Sequence, residues 1–208
     1  KYFIPEINPL VGLIWFSEPD KSHHADGVGY EIGNQAIKYA DAYFADLVND
    51  VRKNENSKDT DIIIISDHGY STIQGVIDIK RELIKVGLLD NEHDKKILIA
   101  PNGGTVLFYV ENSNITLATK LARALMKFDW CGPMFCSSNV GNIEGLLPAE
   151  LIGIEGSRCP DITMSFQWNS EKNKAGYKGM IYSSSGDVGL GTHGSISKHE
   201  INNVFGAF

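Results

Sequence analysis

Apolar and polar positions along this chain alternate between runs of strand length and longer stripes of helical period. Leu10–Phe16 (LVGLIWF) is an unbroken apolar run suited to a buried strand, and it stops at Ser17-Glu18-Pro19-Asp20, where Pro19 removes a backbone donor. From Glu31 to Lys53, residues Ile32, Ala36, Ile37, Ala40, Tyr43, Phe44, Leu47, Val48 and Val51 recur at three- and four-residue intervals and predict a long amphipathic helix. A polar turn is expected at Asn54–Asp59. The β-branched run Asp61–Ser66 (DIIIIS) then reads as a central parallel strand. Helices are predicted over Ile79–Val86 and Ile115–Phe128, and strands over Ile97–Ala100 and Thr105–Val110 around a Pro-Asn-Gly-Gly turn. Asp161–Phe166 reads as a short strand. Gln167–Gly191, rich in Gly, Ser, Asn and Lys, reads as a surface excursion before a last apolar strand at Asn203–Phe208.

Strands alternating with helices predict an α/β domain whose sheet is mostly parallel. In such sheets ligands sit beyond the carboxyl ends of the strands. Asp20 follows one predicted strand, and Asp67 and His68 follow another. The 208 residues suffice for one core, so residues 1–208 are expected to form a single domain. A formal net charge of −7 argues against nucleic-acid polymers and anionic membranes as main partners, since both require clustered Lys and Arg. It leaves room for a small anionic substrate, because bound cations reverse the local sign. Three cysteines, Cys131, Cys136 and Cys159, give no disulfide framework; unpaired thiols are favoured over a Cys131–Cys136 bridge. No apolar run approaches membrane-spanning length, and Lys1–Pro9 does not read as a signal peptide.

Three polar clusters can carry chemistry. Asp20 and His24 stand four positions apart, so a carboxylate and an imidazole can converge on one cation if the loop begins a helix. Asp67-His68-Gly69 lies at a predicted strand end, where Gly69 permits a turn. His193 sits between glycines in Gly191-Thr192-His193-Gly194. Each cluster alone has an ordinary explanation: a solvated loop, a helix cap, a flexible loop. Together, two Asp and three His with no thiolate are the donor set of two neighbouring zinc sites. His23 reads as a neighbour of that set, His93 as part of a solvated charged stretch, and His199 as a helix-start or surface residue.

The ordered motifs Glu18-Pro19-Asp20 with His24, Ser66-Asp67-His68-Gly69 and Gly191-Thr192-His193-Gly194 resemble those of the type I phosphodiesterase/nucleotide pyrophosphatase family, a branch of the alkaline phosphatase superfamily. The stretches Arg158–Trp168 and His193–Phe205 share the resemblance. It implies an alkaline-phosphatase-like three-layer α/β/α sandwich with a mostly parallel sheet and two zinc ions. Asp20, His24 and His193 match the ligands of one ion, a complete site in this chain. Asp67 and His68 match two ligands of the other, which in the family is completed by an Asp and a Thr or Ser nucleophile upstream of the Glu-Pro-Asp strand. Lys1–Pro19 offers no Asp and no Thr or Ser in a nucleophile context, since Ser17 ends the Glu-Pro-Asp strand itself, so the fold is expected to be incomplete at both ends, and no catalytic nucleophile is assigned here. Tyr70 stands where Met is common in the family. The implied reaction is hydrolysis of phosphodiester or pyrophosphate bonds in small or nucleotide substrates. The alternatives are phosphonate hydrolysis of the phosphonoacetate hydrolase type, or a zinc-binding relative without activity. The resemblance also suggests an extracellular, periplasmic or membrane-anchored parent protein.

Overall fold

The computed structural model describes residues 9–53 and 57–208. Helix α1 spans Asp20–Asp26, a stretch that reads as a loop in the sequence, and α2 spans Glu31–Arg52, as the helical stripe predicts. The turn expected at Asn54–Asp59 lies partly outside the described residues; its end, Ser57–Asp59, is a single 3₁₀ turn. Ten strands follow before the last helix and strand are complete. They are β1 (Ile63–Ile65), β2 (Ser71–Val76), β3 (Ile97–Asn102), β4 (Thr105–Val110), β5 (Cys131–Cys136), β6 (Leu147–Pro148), β7 (Ile162–Phe166), β8 (Trp168–Lys172), β9 (Lys178–Ser183) and β10 (Gly191–Thr192). Interspersed are α3 (Ile79–Lys85) and α4 (Ile115–Leu125), and the chain closes with α5 (Lys198–Ile201) and β11 (Phe205–Ala207). Asp78 caps α3 by accepting from the Arg81 N–H, and Asn114 caps α4 by accepting from the Leu117 N–H.

The strands form three sheets, ordered β3-β4-β7-β5-β6, β10-β2-β9-β8 and β1-β11. The expectation of a mostly parallel sheet holds only in part. β2 runs parallel to β9 and β5 to β6, while the other described pairings are antiparallel. The core joins α3 and α4 to the five-stranded sheet through Leu83, Phe108, Leu121, Leu125, Ile162, Met164 and Phe166, all fully buried. The strand buried on both faces is β7, where every residue is inaccessible.

Three sequence expectations are corrected. Among the described residues the run 61–66 is not a central parallel strand: β1 pairs antiparallel with β11 alone, and Ile63 and Ile65 are more than 60% exposed. Leu10–Phe16 is not a buried strand. It makes no ladder, and Leu10, Val11, Leu13 and Trp15 stand in solvent, because nothing among the described residues covers this side. Conversely, Gln167–Gly191 is not a mere surface excursion. It builds the β8–β9 hairpin and carries Ile181 into the core. Its period-two pattern was hidden because the inward positions of β9 alternate through Gly179, Ile181 and Ser183, of which only one is apolar. All three cysteines are free, and burial pushes the Cys131 thiol up to about 12, which makes it an inert core group.

Candidate metal centre

The Glu18 carboxylate accepts the Ser22 N–H at 3.0 Å and so ties down the first turn of α1. That start places Asp20 in the first turn and His24 one turn later, on the same face. α1 ends at Gly27, and Asp26 receives the Ile32 N–H at the head of α2. The turn after β1 delivers Asp67 and His68, and β10 delivers His193. β10 pairs with β2 at Thr192–Ser71, which brings the chain after His68 beside the chain before His193.

All five sequence-predicted ligands meet in one place. Oδ1 of Asp20 lies 3.6 Å from Nε2 of His193, 3.7 Å from Nε2 of His68 and 3.9 Å from Nε2 of His24. Oδ1 of Asp67 lies 3.7 Å from Nε2 of His68. The ligand atoms of Asp20, His68 and His193 fall within 4.8 Å of one another. The His68 and His193 rings stack at 3.7 Å, and the His24 ring stands 5.0 Å from His193.

The donor chemistry suits a cation. Nδ1 of His24 is 3.0 Å from the Gly191 carbonyl, and Nδ1 of His68 is 2.9 Å from the Gly69 carbonyl. A carbonyl only accepts, so each Nδ1 is the protonated nitrogen and each Nε2 presents a lone pair to the cluster. Two ligand atoms bound to a tetrahedral zinc at about 2.1 Å stand roughly 3.4 Å apart, slightly closer than the separations found here. Burial, and beyond it the adjacent His68 and His24, holds the His193 pKa below its ordinary value and keeps the ring in its neutral, ligand-competent form.

Two residues beyond the predicted ligands shape the cluster. The Tyr70 hydroxyl donates to Asp20, and its ring centroid lies 5.1–5.4 Å from those of His23, His24, His68 and His193. In the sequence it stood out only as a Tyr directly after Gly69, where Met is common in the family. Glu200 is buried, and its Oε2 accepts the Ser195 N–H at 2.7 Å, which anchors the turn following His193. His23 is buried against Tyr70 and Gly33 and its ring does not join the ligand atoms, in keeping with a neighbouring role. His93 is exposed and His199 sits at the start of α5.

Gly69 is a glycine because α5 presses on it: a Cβ there would lie 2.3 Å from the His199 carbonyl oxygen. Gly191 is pressed in the same way by the His23 backbone, at 2.6 Å. The two motif glycines therefore serve close backbone approach around the cluster.

The family model for type I phosphodiesterase/nucleotide pyrophosphatase matches residues 6–194. The chain belongs to this family. No curated protein matches it in sequence. Among solved structures it is similar to murine ectonucleotide pyrophosphatase/phosphodiesterase 5, at 17% identity and a TM-score of 0.60, covering 91% of this chain and 44% of that one. An inactive variant of the same murine protein in complex with AMP matches at 17% identity and a TM-score of 0.59, with the same coverage. These likenesses show the alkaline-phosphatase-like α/β fold of the family. The chain spans less than half the length of these structural relatives. No helix among the described residues is long and apolar enough to cross a membrane.

Proposed function

We propose that this chain forms the metal-binding core of a two-zinc phosphodiesterase or nucleotide pyrophosphatase. The observation that carries the reading is the convergence of Asp20 Oδ1 with three imidazole Nε2 atoms at 3.6–3.9 Å, two of them with Nδ1 anchored on a backbone carbonyl. In this reading Asp20, His24 and His193 hold one zinc, and Asp67 and His68 contribute to the second. Oδ1 of Asp20 lies as close to His68 as to the other two rings, which fits metals held a few ångströms apart. Bound zinc would lower the pKa of an attacking oxygen and neutralise charge on the leaving oxygen. The residues of this chain do the rest: the two carbonyl-anchored imidazoles hold their tautomer, and Tyr70 fixes the Asp20 carboxylate.

The nucleophile and the remaining ligand of the second ion are supplied, on this reading, by further polypeptide of the same fold. Support comes from the uncovered apolar residues of 10–16, α2, β1 and β11, which include Leu13, Trp15, Tyr43, Ile65 and Phe205. Small nucleotide or phosphodiester substrates are favoured, in line with the AMP complex of the murine relative. Elemental analysis of zinc per chain tests the assignment. About one tightly held ion is expected for these residues alone. A protein that takes up no zinc would leave a binding or structural relative as the better description.

A further inference from the structure

The turn that carries Asp67 and His68 is held from outside by the stretch joining α5 to β11. The β1–β11 ladder ends at Ile65 opposite Phe205, and the Ser66 N–H prolongs it by donating to the Val204 carbonyl at 3.1 Å. In a regular antiparallel pair the Val204 N–H would donate back to the Ser66 carbonyl. Here it donates to Ser66 Oγ instead, at 2.9 Å, which leaves the Ser66 carbonyl without its strand partner. Asn203 closes the gap. Its side-chain amide donates to the Ser66 carbonyl and to the Asp67 carbonyl, both at 2.9 Å. A carbonyl only accepts, so the amide nitrogen faces the turn and both of its N–H groups are used.

These bonds fall where they set side-chain direction. A peptide unit is planar, so a bond to its C=O or its N–H restrains the whole unit. The unit between residues 66 and 67 is held through the Ser66 carbonyl, and the next one through the Asp67 carbonyl. The unit between residues 68 and 69 is held through the Gly69 N–H, which donates to the Glu200 carbonyl at 2.6 Å. Every unit flanking Asp67 and His68 is therefore tied to residues 200–203, and φ and ψ of both proposed ligands follow. The inner bonds of the turn depend on that conformation: the His68 N–H donates to Asp67 Oδ1 at 3.1 Å, and His68 Nδ1 stands 2.9 Å from the Gly69 carbonyl. The same stretch reaches the other ligand-bearing turn, since Glu200 Oε2 accepts the Ser195 N–H at 2.7 Å. Asn202 is as exposed as Asn203, but among the described residues its side chain has no hydrogen-bond partner.

We propose that Asn203 is a positioning residue for the Asp67–His68 half of the centre: its amide replaces the missing ladder donor and sets the turn that aims both side chains. Resting on the function proposed above, it acts on the ion to which Asp67 and His68 contribute, and not on the ion held by Asp20, His24 and His193.

Nitrogen NMR of the imidazoles in the full chain tests this with and without zinc, each ring being assigned from its His→Ala variant. In the metal-free unaltered chain His68 should show a single tautomer, protonated at Nδ1. Asn203→Ala should turn this into a mixture. Asn203→Asp sets a carboxylate oxygen against carbonyl oxygens and should do so more completely. His24 should keep its tautomer in both variants, and Asn202→Ala should change neither ring. On addition of zinc, the His68 response should move to about tenfold higher zinc in Asn203→Asp, with the His24 and His193 responses unmoved. Asn203 is exposed and precedes β11, so the variants should fold, which circular dichroism checks. An unchanged His68 tautomer in folded Asn203→Asp overturns the assignment. So does an equal change at His24, which would make Asn203 a general stabiliser of the fold. A His68 ring that never responds to zinc in the unaltered chain would count against the two-zinc reading alone, and the metal-free tautomers would still decide the role of Asn203.

Discussion

The phenolic hydroxyl of Tyr70 donates to Oδ1 of Asp20 at 2.5 Å and lies 3.0 Å from the Asp20 backbone carbonyl. The same Oδ1 faces the Nε2 atoms of three histidines. Burial, with Asp20 adding to it, holds the Tyr70 phenol far above its ordinary pKa, so the group stays a neutral donor. Tyr70 thereby fixes the rotamer of the carboxylate on which the cluster converges.

Replacing Tyr70 with Phe keeps the ring packing and removes the hydroxyl. Loss of a partner that orients a metal ligand typically weakens metal affinity by about 10–100-fold. Zinc titration against a chelating indicator should show a drop of that order, with thermal stability of the metal-free protein little changed. Unaltered affinity would mean that Asp20 holds its position without Tyr70.

Asp20→Ala and His193→Ala test the division of ligands between two ions. Each should abolish one bound zinc while Asp67 and His68 keep their share in any protein that binds two. Metal content by elemental analysis reads the result directly. Full metal content in both variants would remove these residues from the ligand set.

The five residues proposed as ligands were legible as a cluster in the sequence because each belongs to a short motif with fixed internal spacing: Asp20 and His24 one helical turn apart, Asp67 and His68 adjacent, His193 flanked by glycines. Helices α2, α3 and α4 and the β3–β4 hairpin were legible from their periods, whereas α1, in a stretch rich in His, Asp and Gly, reads as a loop. What failed were elements whose fate depends on distant partners. DIIIIS and LVGLIWF have the composition of doubly buried strands, but burial is set by what packs on them, and here both stand open. β9 was missed for the opposite reason, since Gly179 and Ser183 occupy inward positions without raising hydropathy. Tyr70 and Glu200 act through contacts across 50 residues and through burial respectively, which no local pattern reports.

Gly69→Ala should be poorly tolerated. The added methyl would meet the His199 carbonyl oxygen at 2.3 Å, and the Gly69 N–H already donates to the Glu200 carbonyl at 2.6 Å. Backbone on both sides cannot yield cheaply, and such overpacking costs about 1–3 kcal/mol. A lowered Tm together with weaker zinc uptake is expected, since His68 rides on the same turn. Wild-type Tm in this variant would show that α5 can move aside.

Burial pushes the Glu200 carboxyl above the usual carboxylate range, against the hydrogen bond that its Oε2 accepts from the Ser195 N–H. Its folded pKa therefore exceeds its unfolded one, so its contribution to stability is fully present below the unfolded value of about 4.3 and is lost as pH rises through the folded value. Glu200→Gln keeps an acceptor for Ser195 and removes that loss. The variant should equal or exceed the unaltered chain in Tm near pH 7, with its relative advantage shrinking toward pH 4. A constant Tm difference across this interval would mean that the carboxyl titrates normally.

The open apolar face should govern behaviour in solution. Leu10, Val11, Leu13 and Trp15 on the segment before α1, with Ile63, Ile65, Phe205 and Phe208 on the β1–β11 pair, are between about two-thirds and fully exposed. Burying one such aliphatic side chain is worth roughly 1.5–3 kcal/mol, so several together favour association strongly. β1 also has an unpaired edge among the described residues, and a flat apolar edge invites further strands. The 208-residue chain should bind a hydrophobic dye and sediment as more than a monomer at micromolar concentration. Leu13→Lys with Ile65→Lys should shift it toward the monomer without reducing zinc content, because both side chains are exposed and neither belongs to the proposed ligand set. A dye-silent monomer from the unaltered chain would mean that this face closes by rearrangement, and the proposal that further polypeptide packs there would lose its support.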